Sequence, residues 1–398
     1  MAIIKLSEPQ AQQSPFALFD LGFRPFFLIA SLMALVFQPL WLAIYSGNIG
    51  ASNYYGAVGW HAHEMLFGYS SAVIAGFLLT ATRNWTGKAS LSATPLLLFA
   101  LLWCLGRLAP LIDTPPALIA IIDLLFLPIL AVSLLVPIVK TKQWRNIIFP
   151  ALVLLMTIAN GLVHAQALGW NSSSAQSGVT LALYIILIII VIMAGRVVPF
   201  FIEKGAMGAK VTSWPIIERL SIVSITLLAL SELFAPILSP WVALLAFIVH
   251  CFRWAGWVSS SAIKVPLLWV LISGYFWLVV GLLLMLFHGL SDIPKSLAIH
   301  AFTVGGIGVL TVGMMARVSL GHTGRLLKPH TLTVWAFVLI NLAVIIRVIA
   351  PITGLIDYSS SLILATLLWS ASFILFIMIY TPILLKPRAD EPPPPHQI

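Results

Sequence analysis

Charge is scarce in this chain. Of 398 residues only 8% are Asp, Glu, Lys or Arg, where a water-soluble domain carries about a quarter. With 61% of residues hydrophobic, too little polar surface remains to clothe a soluble fold. The natural solvent is lipid, in which only helices and closed barrels satisfy every backbone group. Cysteine is nearly absent too. Cys104 and Cys251 both lie inside apolar runs, which excludes a disulfide framework and a CxxC metal site. A continuous basic face is also lacking. The formal charge is +9, but the lysines and arginines fall in short loops, so they orient a membrane chain rather than bind nucleic acid. No cleaved signal peptide is expected, because the first apolar run follows Arg24 and is long enough to be a span.

What the sequence has in abundance is apolar runs of about 20 residues, the length a helix needs to cross ~30 Å of hydrocarbon, without the alternation of barrel strands. The fold class is therefore all-α: a polytopic membrane protein of about twelve helices. Spans are expected near 25–46, 60–82, 94–112, 116–139, 147–168, 179–199, 215–235, 240–259, 266–288, 295–317, 331–350 and 359–384. Residues 1–24 read as a cytoplasmic N-terminal tail and 25–385 as one transmembrane domain. The proline-rich, charged stretch 386–398 (KPRADEPPPPHQI) reads as a disordered cytoplasmic tail.

Under this division the loop charges alternate. Arg83/Lys88, Lys140/Lys142/Arg145, Lys204/Lys210/Arg219, Lys264, Arg325/Lys328 and Lys386/Arg388 fall on one side. The other side holds 47–59, Asp113, 169–178, Glu232 and Asp292/Lys295. The positive-inside rule then places both termini in the cytoplasm. Side chains thereby acquire depth. His61, His63 and Glu64 open the second span at its outer end. His164 and His300 lie about one turn below the outer ends of the fifth and tenth. Arg107, Asp123 and Arg347 fall in the same outer third. Ionisable groups at membrane depth are costly and usually face a functional interior. His250 and Arg253 lie deeper and form a separate feature.

The chain also repeats itself. HEMLFGYSSAVIAGFLLTATRNWTGK from His63 aligns without a gap to HAFTVGGIGVLTVGMMARVSLGHTGR from His300. His63 matches His300, Gly68 matches Gly305, and Thr86-Gly87-Lys88 matches Thr323-Gly324-Arg325. The next spans end alike, GRLAP (106–110) and RVIAP (347–351), and IMAGRVV in the sixth span is a fainter echo of MMARV in the tenth. Spans two, six and ten are four apart, which suggests three pseudo-symmetric four-helix units. Repeats of this kind are common in membrane proteins.

Two histidines facing each other from different helices can give a haem iron two imidazole nitrogens, and arginines at the same depth can neutralise haem propionates. His63 with His300 fits this description through the repeat, with Arg107 and Arg347 as propionate partners and neighbouring glycines leaving room for a planar macrocycle. His61, two residues from His63, points about 200° away on a regular helix. With His164 it forms a candidate copper site, sharing its face with Glu64 and Met65. Against each position stands a plainer reading. An interfacial histidine hydrogen-bonds a carbonyl, an arginine snorkels, a glycine stripe packs helices, and His250–Arg253 is structural.

FDLGFRPFF (19–27), WHAHEMLFGYSSAVIAGFLLTATRNWTG (60–87), GRLAP, NGLVHAQ (160–166), GRVVPFF (195–201) and HAFTVGGIGVLTVGMMARVSLGHTGR (300–325) resemble the NnrS family, in order and over nearly the whole chain. The resemblance implies a twelve-span bacterial inner-membrane protein containing haem and copper. It also implies a part in nitric oxide metabolism, as in denitrification, and in protection against nitrosative stress, with nitric oxide or iron-nitrosyl species as partners. Its reaction and metal ligands are not implied. A fainter likeness is to subunit I of the haem–copper oxidases and nitric oxide reductases, where haem ligands lie on spans two and ten. In that register HAHEMLF offers His61 rather than His63 as the ligand. The paired histidines of span seven and the HxH of span ten in those proteins have no counterpart here, which speaks against a standard haem–copper centre. The rival class is a twelve-helix secondary transporter without cofactor. A transporter would line a path through the membrane with polar groups, whereas here they gather on one side.

Overall fold

The computed structural model describes residues 16–50, 54–88 and 91–390. Twelve long helices account for most of them, and no strand occurs among the described residues. They are α1 (Phe23–Tyr45), α2 (Gly56–Thr86), α3 (Ala93–Leu111), α4 (Pro116–Lys140), α5 (Trp144–Ala167) and α6 (Ser174–Gly205), then α7 (Pro215–Phe234), α8 (Pro236–Trp257), α9 (Pro266–Leu290), α10 (Lys295–His322), α11 (Thr331–Thr353) and α12 (Tyr358–Leu385). Prolines open α4, α7 and α9, where a missing N–H costs nothing. Gly87, in the left-handed region at φ +63°, closes α2.

Eleven of the helices are long and apolar enough to cross a membrane. The exception, α7, is 20 residues long but carries Glu218, Arg219 and Glu232. Its two acids are paired within the bundle, Glu218 with Arg253 of α8 and Glu232 with Lys295 at the start of α10. The chain is a multi-pass α-helical membrane protein, as its composition requires.

Neighbours in sequence are mostly neighbours in space, and α12 returns to pack along α1 and closes the bundle. The exception is α3, which packs on α4, while α4 itself reaches α2. Arg24 seals the closure by donating to the carbonyls of Leu384 and Lys386 at 2.8 and 2.7 Å. Both ends of the described chain meet on one face. The Ala17 N–H donates to Leu385 O at 2.8 Å, and that of Ala389 to Thr323 O at 2.9 Å. Of the two expected tails, residues 1–15 and 391–398 lie outside the described residues.

Among the eleven apolar helices the most enclosed are α2, α6, α9 and α10, with 61–78% of their apolar stretches buried, against 50% or less for the other seven. Three of these four are the second, sixth and tenth helices, which the repeat singles out. The glycines of α10 serve helix packing. A Cβ on Gly305 would come within 2.4 Å of the Trp277 side chain, and one on Gly308 within 2.8 Å of the Trp369 ring. The helix-packing reading of that stripe is the one the structure supports.

The repeat is also written in the backbone. A π-helical stretch, Glu64–Ser70, begins directly after His63 in α2, and another, Ala301–Val309, directly after His300 in α10. A third, Ile345–Ile349, surrounds Arg347 in α11. Such wide turns are rare and gather at functional sites.

Candidate metal and cofactor sites

Asp123, on α4, is the hub of the first site. Its Oδ2 lies 3.1 Å from His63 Nε2 on α2 and 3.0 Å from His164 Nε2 on α5. It also accepts a 2.7 Å hydrogen bond from the side-chain amide of Asn160. Arg107 of α3 forms an ion pair with Asp123 Oδ1 and lies 3.2 Å from Glu64 Oε2, while the other Glu64 oxygen is 3.0 Å from His63 Nδ1. All these side chains are buried. Tyr55 stacks on the His63 ring, centroids 4.3 Å apart, and Tyr54 Oη lies 2.8 Å from His164 Nδ1.

The charge balance of this cluster matters because it is buried. Two carboxylates face one guanidinium, so one negative charge is left for a proton on an imidazole or for a bound cation. One ligand atom from each of His63, Asp123 and His164 can be chosen so that all lie within 4.8 Å of one another, close enough to hold a metal ion. Two imidazoles and a carboxylate suit a divalent first-row ion. The Asn160 amide and the Tyr54 hydroxyl supply the outer hydrogen bonds that orient such ligands.

The second site is a cavity of about 300 Å³ on the other side of α2. His61 and Met65 of α2 line it opposite His300 of α10, with Trp41 of α1, Tyr184 of α6, Met285 of α9, Arg347 of α11 and Trp369 of α12. It reaches down α10 from Lys295 to Ile307, roughly 15–18 Å of helix. Tyr69, which also lines it, is hydrogen-bonded through Oη to Thr311 Oγ1 at 2.7 Å. Lys295 and Glu232, both of its lining, form an ion pair. The cavity therefore lies toward the start of α10, the end of that helix away from Thr323 and the termini.

Within the cavity the polar groups are incompletely matched. Arg347 Nη2 lies 3.3 Å from His300 Nε2 and from Tyr358 Oη, but its buried Nη1 has no hydrogen-bond partner, and neither has the buried Nδ1 of His61. Two imidazoles can ligate a haem iron and an unmatched guanidinium nitrogen can meet a propionate, so the residues lining this mostly apolar cavity fit that group.

The family model for the NnrS protein matches residues 17–388 of this chain, and both sites fall within the match. The chain belongs to the NnrS family. No curated protein matches it.

In this NnrS-family chain the sequence-predicted residues meet in pairs different from those expected. His63 does not face His300. It lies across α2 from the cavity, against α4 and α5, and it is His61 that shares the cavity with His300. Pseudo-equivalent residues occupy equivalent places in their own units, not opposing places in one site. His63 shares both its carboxylates with Arg107, just as His300 contacts Arg347. His164 pairs with His63 and not with His61, because α5 packs on α4 and contributes nothing to the cavity wall. Arg107 is held by Glu64 and Asp123 and does not line the cavity, whereas Arg347 does. Of the expected face-mates of His61, Met65 lines the cavity, while Glu64 turns to Arg107.

Asn160, Tyr54, Tyr55 and Trp41 were not singled out from the sequence. Asn160 and His164 stand four apart in NGLVHAQ, one face of a helix, and that spacing could have found Asn160. The tyrosines lie just ahead of α2 and Trp41 inside an apolar run, so no periodicity marks them.

The deeper pair, His250 and Arg253, belongs to neither site. Arg253 binds Glu218 through two nitrogens and donates to Val191 O and Tyr275 Oη, at 3.0 and 2.9 Å. His250 lies 3.2 Å from Ser221 O and 2.6 Å from Tyr275 Oη. The carbonyl can only accept, so Nε2 carries the proton and Nδ1 accepts from the phenol. Every member is partnered, which is the structural role expected. Gly195, of the IMAGRVV echo, lets Arg253 approach α6, since a Cβ there would fall 2.0 Å from its Nη2.

Proposed function

We propose that this protein is a haem- and copper-binding protein of the bacterial inner membrane, with both termini cytoplasmic, that takes up nitric oxide or iron-nitrosyl species in protection against nitrosative stress. His61 and His300 hold the haem, and Arg347 receives a propionate. His63, Asp123 and His164 hold copper, the divalent first-row ion that binds such donors most tightly. Haem supplies an iron that binds nitric oxide, and an apolar cavity in the outer half of the bundle receives a gas that partitions into lipid.

The observation that carries this reading is the meeting of His61 and His300, from helices far apart in sequence, in one apolar cavity beside an arginine with an unmatched nitrogen. Family membership points the same way. A transport path would have to continue across the bundle, whereas the α10 residues that line this cavity end at Ile307, and Tyr69 of its wall is hydrogen-bonded to Thr311. The test is the visible spectrum of the purified protein with iron and copper analysis. A low-spin haem spectrum and one copper per chain are expected. Protein free of both metals rejects it.

A further inference from the structure

The two imidazoles of the cavity are held very differently. His300 Nδ1 lies 2.6 Å from the carbonyl oxygen of Ser296, one turn earlier in α10. A carbonyl only accepts, so Nδ1 carries the proton and the lone pair of Nε2 is fixed toward Arg347 and the cavity. This is the arrangement by which proteins orient a metal-binding histidine and raise its basicity. His61 has no such anchor. Its Nδ1 is buried without a hydrogen-bond partner, and its ring is placed by stacking on the Trp41 indole, centroids 4.2 Å apart and planes 28° apart. Trp41 is itself held by packing, since its buried Nε1 also lacks a partner.

From this asymmetry, and resting on the haem reading above, we infer that His300 is the permanent haem ligand and His61 the releasable one, with Trp41 as the residue that positions His61. An anchored imidazole keeps its direction when the opposite bond is lost. One held only by a stacked indole can swing aside without breaking a hydrogen bond. With haem bound, the α1 and α2 side of the cavity, where His61 lies, would therefore be where a small neutral ligand such as nitric oxide gains access, and Trp41 would set how readily His61 yields.

The experiment compares the absorption and electron paramagnetic resonance spectra of the purified wild type with those of His61→Ala, His300→Ala and Trp41→Leu, together with haem content per chain. His61→Ala is expected to retain most of its haem in a high-spin state that added imidazole converts to low spin. His300→Ala is expected to lose at least nine-tenths of its haem. Trp41→Leu is expected to keep its haem with a raised high-spin fraction. Equal loss from both histidine variants, or greater loss from His61→Ala, overturns the inference while leaving the haem reading in place. If a histidine variant fails to accumulate, Trp41→Leu decides alone, and an unchanged spin state overturns the role of Trp41 and the releasable character of His61. Low-spin spectra retained in both histidine variants, or a wild type without haem, overturn the haem reading itself.

Discussion

Asp123 shows how one side chain can govern a site. Four donor groups converge on its carboxylate, from α2, α3 and α5. Removing one partner of a buried ion pair costs about 3–5 kcal/mol, because the other charge stays buried and uncompensated. Asp123→Ala is therefore expected to lower the thermal inactivation temperature markedly and to abolish copper retention, both measurable on detergent-solubilised protein. Tyr54 makes a gentler probe. It lies ahead of α2, and burial pushes its phenol up to about 12, so it remains a neutral hydroxyl beside His164. When His164 binds a metal through Nε2 its proton moves to Nδ1, and the hydroxyl turns from donor to acceptor. Tyr54→Phe removes that partner and is expected to weaken copper binding by about 10–100-fold. From the sequence, Asp123 was legible as a costly charge at membrane depth but not as a hub. Nothing in one linear pattern says which three helices meet at it.

At the scale of the helix, the π-helical stretches decide where side chains point. Each takes in an extra residue, so the helix after it is rotated relative to a regular one. Inserting one further residue within Ala301–Val309, which already holds its extra residue, turns His300 by roughly 100° relative to the rest of α10. The insertion is expected to leave the protein in the membrane and to remove its Soret band, checked by spectrum and membrane fractionation. The stretch in α11 accounts for an irregularity in the repeat. Arg107 stands three residues before Pro110, but Arg347 stands four before Pro351, and the extra residue falls within Ile345–Ile349. The repeat was legible because the match is long and ungapped. The pairing drawn from it was not sound, because a repeat relates like positions and a ligand site is built from unlike ones. The opposite orientations of His61 and His63 were legible from helical periodicity alone. The rival register, with His61 as the ligand, agrees with the cavity.

At the scale of the whole molecule, the span pattern was read almost directly from the sequence, since lipid leaves the backbone no other way to satisfy itself. Even α7, with three charges, was placed, and its acids are matched by Arg253 and Lys295. The assembly around the spans was hidden. Closure of α12 on α1, the outlying position of α3 and the cavity among eight helices depend on packing between segments hundreds of residues apart. The grouping of basic loops with both ends of the chain gives a topology that reporter fusions can check. Fusions at 48–50 and 170–172 are expected to report the periplasm, and fusions at 141–143 and 326–329 the cytoplasm. One reversed loop breaks the arrangement.

The central claim is that a haem is held across the cavity by α2 and α10, with His63 apart from it. The most direct measurement is the visible spectrum, with haem and copper content, of His63→Ala beside His300→Ala. His63→Ala is expected to keep a normal Soret band and lose copper, while His300→Ala loses the band and keeps copper. Loss of haem from His63→Ala with an intact fold, or a normal spectrum in His300→Ala, would contradict it.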